Sequence, residues 1–193
     1  LTNAQDNVII GYQAQAGAAT GQNQIVIGKG AVGDTTNNSV VIGNDAIAKT
    51  ILKGVVIMTE RLVLSDSLQN SFIGEDTGVS NTTGDENVGL GYNSLFSNTT
   101  GGHNTAIGKY SLYSNISGSY NIALGNQALY SSTTGSSNIG IGFLSLYTNS
   151  SGFGNVGLGV YALQKNTTGS ANNAIGVQAM WNNTIGGSNS ATG

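Results

Sequence analysis

The chain of 193 residues has no cysteine and no proline, a single histidine, a single tryptophan and only 8% charged residues. Without cysteine there is no disulfide framework, which fits either an extracellular or a virion setting. Six Lys and Arg against nine Asp and Glu leave a net charge of −3. No basic cluster is present to neutralise phosphates, so nucleic acid is not an expected partner. No apolar run approaches the ~20 residues needed to span a bilayer, so no membrane insertion is expected. The chain starts at Leu1 without a signal-peptide pattern and reads as a fragment of something longer.

Chemistry is also scarce. From residue 87 onward there is neither Asp nor Glu, and the cations are Lys109 and Lys165, with His103 the single imidazole. General acid–base catalysis needs a positioned titratable pair, and nucleophilic catalysis needs a hydroxyl or thiol beside a base. The expectation is no enzyme, no cofactor and His103 at the surface. Glu75, Asp76, Asp85 and Glu86 could be considered for calcium, which takes six to eight oxygens. Their spacing matches no known loop, so a solvated acidic collar is expected and no metal site. Gly-x-Gly, as in Gly89-Leu90-Gly91, is repeat grammar, because the phosphate-binding fingerprint has meaning only between a strand and a helix.

What is present is 30 glycines and a strict period. Laid out in rows of seventeen from Asn70, one column holds Asn70, Asn87, Asn104, Asn121, Asn138, Asn155, Asn172 and Asn189. Place five holds Gly74, Gly91, Gly108, Gly125, Gly142, Gly159 and Gly176, and place fifteen holds Gly84, Gly101, Gly118, Gly135, Gly152, Gly169 and Gly186. A fixed short period marks a repeat architecture in which each unit is one rung stacked on the last.

Place four is branched and apolar in all complete rows, among them Ile107, Leu124 and Ile141, and place two is mostly so. Places two and four of a strand share a side, which predicts a short strand with one apolar face. Place three is nearly always Gly or Ala, so something approaches the opposite face closely. The place-five glycines are the rung corners, since only Gly enters positive φ without steric cost. Leu112, Leu129 and their equivalents at place nine form a second apolar anchor, from which Gly78 departs in the first row. The predicted core therefore includes Ile107, Leu124, Ile141, Leu112 and Leu129. Asn-Thr-Thr-Gly at places twelve to fifteen closes the rung. The sequons at Asn81, Asn98, Asn115, Asn149 and Asn166 read as a ladder closing those turns. Two short strands and two corners per rung describe a flat coil, and the glycine, Asn, Ser and Thr content argues against helix.

The fold class expected is all-β, a parallel β-solenoid of about twelve rungs. Rungs 4.7 to 4.9 Å apart make the regular array roughly 38 Å long. Residues 70–193 hold the regular rungs. Residues 1–48 hold looser ones with spacings of seventeen and then fifteen, at Val8-Ile9-Ile10-Gly11, Ile25-Val26-Ile27-Gly28 and Val40-Val41-Ile42-Gly43. Residues 49–69 bring charge and lack the corner glycine, which predicts an irregular rung or hairpin connector, or a clamp in which Arg61 pairs with another chain. Two or three large apolar side chains per rung, at about 1.5 to 3 kcal/mol each, do not clearly offset an ordering term near 1 to 2 kcal/mol per residue. Packing of copies through the small face and the place-ten aromatics, around a threefold axis, predicts a homotrimer.

Place ten forms an aromatic column of Phe96, Tyr113, Tyr130, Tyr147 and Trp181, interrupted by Gln164. It could be a sugar-stacking groove for a surface glycan; packing between subunits is the preferred reading. A threonine column, Thr83, Thr100, Thr134 and Thr168, suggests ice binding by a monomeric solenoid as the alternative function, although Ser117, Ser151 and Ile185 break it.

The run Asn-x-Ala-Ile-Gly-x-x-Ala-Leu-x-x-Asn-Thr-Thr-Gly, seen from Asn104 to Gly118 and from Asn121 to Gly135, resembles the head repeats of trimeric autotransporter adhesins, and still more the seventeen-residue arrays of phage tail fibres. Ser39 to Ala46 is similar to the shorter adhesin head repeat. The resemblance implies a left-handed, trimeric β-roll on a virion tail fibre or cell surface, serving as shaft and as receptor-binding surface for host attachment.

Overall fold

The computed structural model describes residues 8–15, 25–27, 32, 40–42 and 66–193. The chain divides into two units, Leu1–Arg61 and Leu62–Gly193. In the first, β1 (Val8–Ile10), β2 (Ile25–Ile27) and β3 (Val40–Ile42) pair side by side in parallel, with Val8 opposite Ile25 and Ile25 opposite Val40. Both spacings read from the sequence thus bring equivalent residues together. Arg61 and residues 49–65 of the expected connector lie outside the described residues.

The second unit is a parallel β-solenoid of about seven turns, with no helix among the described residues. Its strands are β4 (Ser71–Ile73), β5 (Val88–Leu90), β6 (Thr105–Ile107), β7 (Ile122–Leu124), β8 (Ile139–Ile141), β9 (Val156–Leu158), β10 (Asn173–Ile175) and β11 (Ser190–Thr192). They form one sheet in chain order, each residue opposite its equivalent seventeen on, as Ala106 is opposite Ala123. A period of seventeen with no insertion allows this register and no other.

Each turn of the coil contains one strand, where two were expected. The stretch around place nine is bonded from rung to rung, Leu95 N–H to Ser111 O and Leu112 N–H to Ala128 O at 3.0 Å, but its backbone is not extended. Places seven and nine enter the left-handed region, Tyr110 at φ 59° and Leu112 at φ 49°, as does place seventeen, Tyr120 at φ 59°. The place-five glycines lie at φ 127° to 138°. A leucine at positive φ is strained by about 1 to 2 kcal/mol, and it recurs at Leu95, Leu112, Leu129, Leu146 and Leu163. Full burial of each side chain, worth about 1.5 to 3 kcal/mol, outweighs that strain.

Those leucines correct the predicted core. Leu112 and Leu129 are fully buried, together with Leu95, Leu146, Leu163 and the small residues Ala106, Ala123 and Ala174 of place three. Ile107 is exposed, and Leu124 and Ile141 are only half-buried. The strand is turned the other way: place three faces in, and places two and four face out. The reason is the width of the coil. A Cβ on Gly140 would stand 3.2 Å from Leu129 Cγ, and one on Gly157 would stand 2.7 Å from Ser145 Oγ and 3.2 Å from Leu146 Cγ. What crowds the small face is the chain's own place-nine leucine, so that face is interior and unable to meet a second copy.

Two asparagine ladders run through the coil. At place one, Asn104 N–H donates to Asn87 Oδ1 at 2.9 Å while Asn104 Nδ2 donates to Gly118 O at 2.9 Å, and the pattern repeats from Asn87 to Asn172. At place twelve, Asn98 Nδ2 donates to Asn81 Oδ1 at 2.9 Å and to Gly101 O at 2.9 Å. Both files are almost wholly buried, so each carboxamide must be satisfied inside the protein.

The first rung varies the theme. Phe72 stands at place three and Gly78 at place nine, so large and small are exchanged. A Cβ on Gly78 would come within 2.5 Å of the Phe72 ring, which fills the space that leucine takes elsewhere. Upstream of this rung, Asp66 ends the place-one ladder. Its Oδ1 accepts from Asn70 N–H at 2.9 Å, the bond that an asparagine of a preceding rung would accept, and its Oδ2 accepts from Asn70 Nδ2 at 3.1 Å.

Candidate functional site

With the small face inside, places two and four form the outward face of the strands. Place two presents Val88, Ile122, Ile139 and Val156, and place four presents Ile73, Leu90, Ile107, Leu124, Ile141, Leu158 and Ile175. Leu90 is 42% exposed, Leu158 40% and Ile107 37%. Polar residues occur only at Ser71, Thr105, Asn173, Ser190 and Thr192, and no charged residue stands in either column. Two adjacent columns on eight in-register strands make a flat, uncharged strip of apolar side chains. Such a contiguous exposed apolar patch, rather than single scattered side chains, marks an interaction surface. The pattern of small residues at place three was the signal for this face, since only an interior position needs such uniform smallness.

The aromatic column is ordered in another way. Phe96 stacks on Tyr113 with ring centroids 5.1 Å apart, Tyr113 on Tyr130 at 5.0 Å and Tyr130 on Tyr147 at 5.1 Å, with interplanar angles of 10°, 4° and 17°. All four rings are half-buried. Parallel rings at rung spacing spend their faces on one another and show their edges, so along this stack a sugar finds no open platform. Burial, then the neighbouring Tyr113 and Tyr147, raise the Tyr130 hydroxyl above its ordinary pKa. Trp181 is apart from the stack: its indole Nε1–H donates to Gln164 Oε1, and Lys165 Nζ sits 4.3 Å from its ring centroid.

A second aromatic group, at places six and seven, was not anticipated. Tyr92 meets Tyr110 edge to face at 5.5 Å, and Lys109 Nζ lies 5.5 Å from the first ring and 4.9 Å from the second. Tyr110 also turns its edge to Tyr113. Tyr110 chiefly, then burial and the carboxylates of Glu75 and Asp76, raise the Tyr92 pKa. Because places six and seven vary from rung to rung, no column betrayed this cluster in the sequence.

His103 is exposed, as a rung-end residue should be. Its Nδ1 is 3.1 Å from Glu86 Oε2, and its ring stacks on Tyr120 at 4.7 Å. Glu75, Asp76, Asp85 and Glu86 are all exposed, and among the described residues no group of three or more His, Cys, Asp or Glu side chains comes together for a metal ion. Thr83, Thr100, Thr134 and Thr168 at place fourteen are exposed in single file on the bends of the coil, away from the flat sheet. Their neighbours at place thirteen turn their hydroxyls to the next rung, Thr99 Oγ1 to Ile116 O at 3.0 Å and Thr133 Oγ1 to Ser150 O at 3.1 Å.

No family model matches the chain, and neither the curated proteins nor the solved structures contain a match to it.

Proposed function

We propose that this chain is a structural and receptor-binding segment of a homotrimeric surface fibre, a phage tail fibre or a bacterial adhesin, that mediates attachment to a host or surface. The observation that supports it most is the outward face of places two and four. An uncharged strip of Val, Ile and Leu along the coil is unfavourable in water by about 25 cal/mol per Å² of apolar area. Identical copies are the natural cover, since their strips repeat at the same rise and match column for column. Three around one axis would close the assembly, with the aromatic edges and the variable places six and seven left outward for a receptor or glycan. Such a fibre acts by shape and adhesion, in keeping with the scarcity of titratable groups after residue 86.

Sedimentation equilibrium at micromolar concentration tests this. The expected result is a single species of three times the chain mass; a stable monomer across the accessible concentrations would contradict it.

A further inference from the structure

The place-twelve ladder is broken once, at Ser132. Elsewhere each Nδ2 of Asn98, Asn115, Asn166 and Asn183 donates twice: to the Oδ1 one rung earlier at 2.7 to 3.0 Å, and to the glycine carbonyl three residues on at 2.8 to 3.0 Å. Serine has a hydroxyl where these have a carboxamide and is two heavy atoms shorter. Four hydrogen-bonding capacities are left over around one point. Asn115 Oδ1 and Ser132 Oγ have no partner in the protein, although both residues are fully buried. Gly135 O accepts only from Asn121 Nδ2, at 2.8 Å, whereas Gly118 O and Gly152 O each accept twice. Asn149 Nδ2, lacking an Oδ1 at position 132, donates to Gly152 O alone, at 3.0 Å.

Serine withdraws the carboxamide that stands beside the glycine three residues on in the other rungs. A Cβ on Gly118 would stand 2.5 Å from Asn115 Oδ1 of its own rung. At Gly135 the three nearest atoms belong instead to the following rung: Gly152 O, Asn149 Nδ2 and Asn138 Nδ2. The truncated side chain of Ser132 is not among them.

We propose that this point is a binding site for one buried water molecule. The water donates to Asn115 Oδ1 and Gly135 O and accepts from Ser132 Oγ–H and Asn149 Nδ2–H, which uses all four leftover capacities. Buried waters ordinarily make about three such bonds. The mixture of donors and acceptors selects the guest. A metal cation or an ammonium has nothing to accept the Asn149 amide proton, and a larger hydroxylic molecule exceeds the volume that the shortened side chain frees. The site is independent of how copies of the chain assemble, because every ligand comes from one coil.

Oxygen-17 magnetic relaxation dispersion tests it on the intact chain and two variants. Ser132→Asn supplies the missing carboxamide, so it should show one fewer long-lived water and melt a few degrees higher. Ser132→Val fills the space with apolar atoms, so it should also show one fewer long-lived water but melt lower. The opposite stability changes separate loss of the water from a general loosening. Equal dispersion amplitudes in all three proteins would overturn the proposal.

Discussion

Single side chains in this protein are judged by whether the next rung repeats their hydrogen bond, and Asp66 shows what happens where the repetition ends. It takes over the acceptor role of an asparagine one rung back, binding the backbone and side-chain amides of Asn70 and the Leu68 N–H. Burial by itself would raise its pKa, but these hydrogen bonds outweigh burial and hold the carboxyl below the ordinary carboxylate value. A depressed folded pKa stabilises the fold above the unfolded value, and that stability is lost as pH falls through the lower, folded one. Acid titration of unfolding should therefore show a destabilising limb at the low edge of the carboxylate range that is reduced in Asp66→Asn. The effect is modest because the carboxylate is exposed to water. An unchanged acid limb in the variant would show that the cap contributes nothing. The asparagine columns were plain in the sequence, whereas the cap was not, since a single Asp outside the period looks like any other surface charge.

At the scale of one rung, the exchange of Phe72 and Gly78 shows how strictly the interior volume is set. The coil has room for one large side chain per turn, at place three or at place nine. Phe72→Ala should empty the first rung and cost about 3 to 5 kcal/mol. Gly78→Leu alone should drive a leucine into the Phe72 ring. The double variant Phe72→Ala/Gly78→Leu recreates the pattern of the other rungs and should recover most of the loss. Chemical denaturation of the four proteins gives the coupling energy, and strict additivity would mean that the two positions do not share one space. The period, the glycine corners and the place-nine leucines could all be read from the residues in advance. Which side of the strand faces inward could not be read from alternation alone, because a three-residue strand with apolar places two and four fits either orientation. Only the volume of the place-nine leucine, set against the uniform Gly and Ala of place three, decides it. The second strand failed for a related reason: propensity says nothing of the left-handed backbone at Tyr110 and Leu112 that the corner imposes.

The second unit as a whole joins a narrow, well-satisfied interior to an apolar exterior. Its place-nine leucines are wholly buried and the asparagines of places one and twelve are paired from rung to rung, yet a comparable set of aliphatic side chains lies on the outer strand face. We read that face as the seam between copies, which moves the expected contact away from the small residues of place three and away from the stacked rings. The most direct test is sedimentation of Ile122→Arg and Ile139→Arg, singly and together, beside the unaltered chain. Both positions lie on the outer face of the sheet, so the far-ultraviolet circular dichroism of a single coil should survive while the proposed trimer gives way to monomers. A trimer that persists with arginine in both places would show that copies meet elsewhere, and would contradict the account.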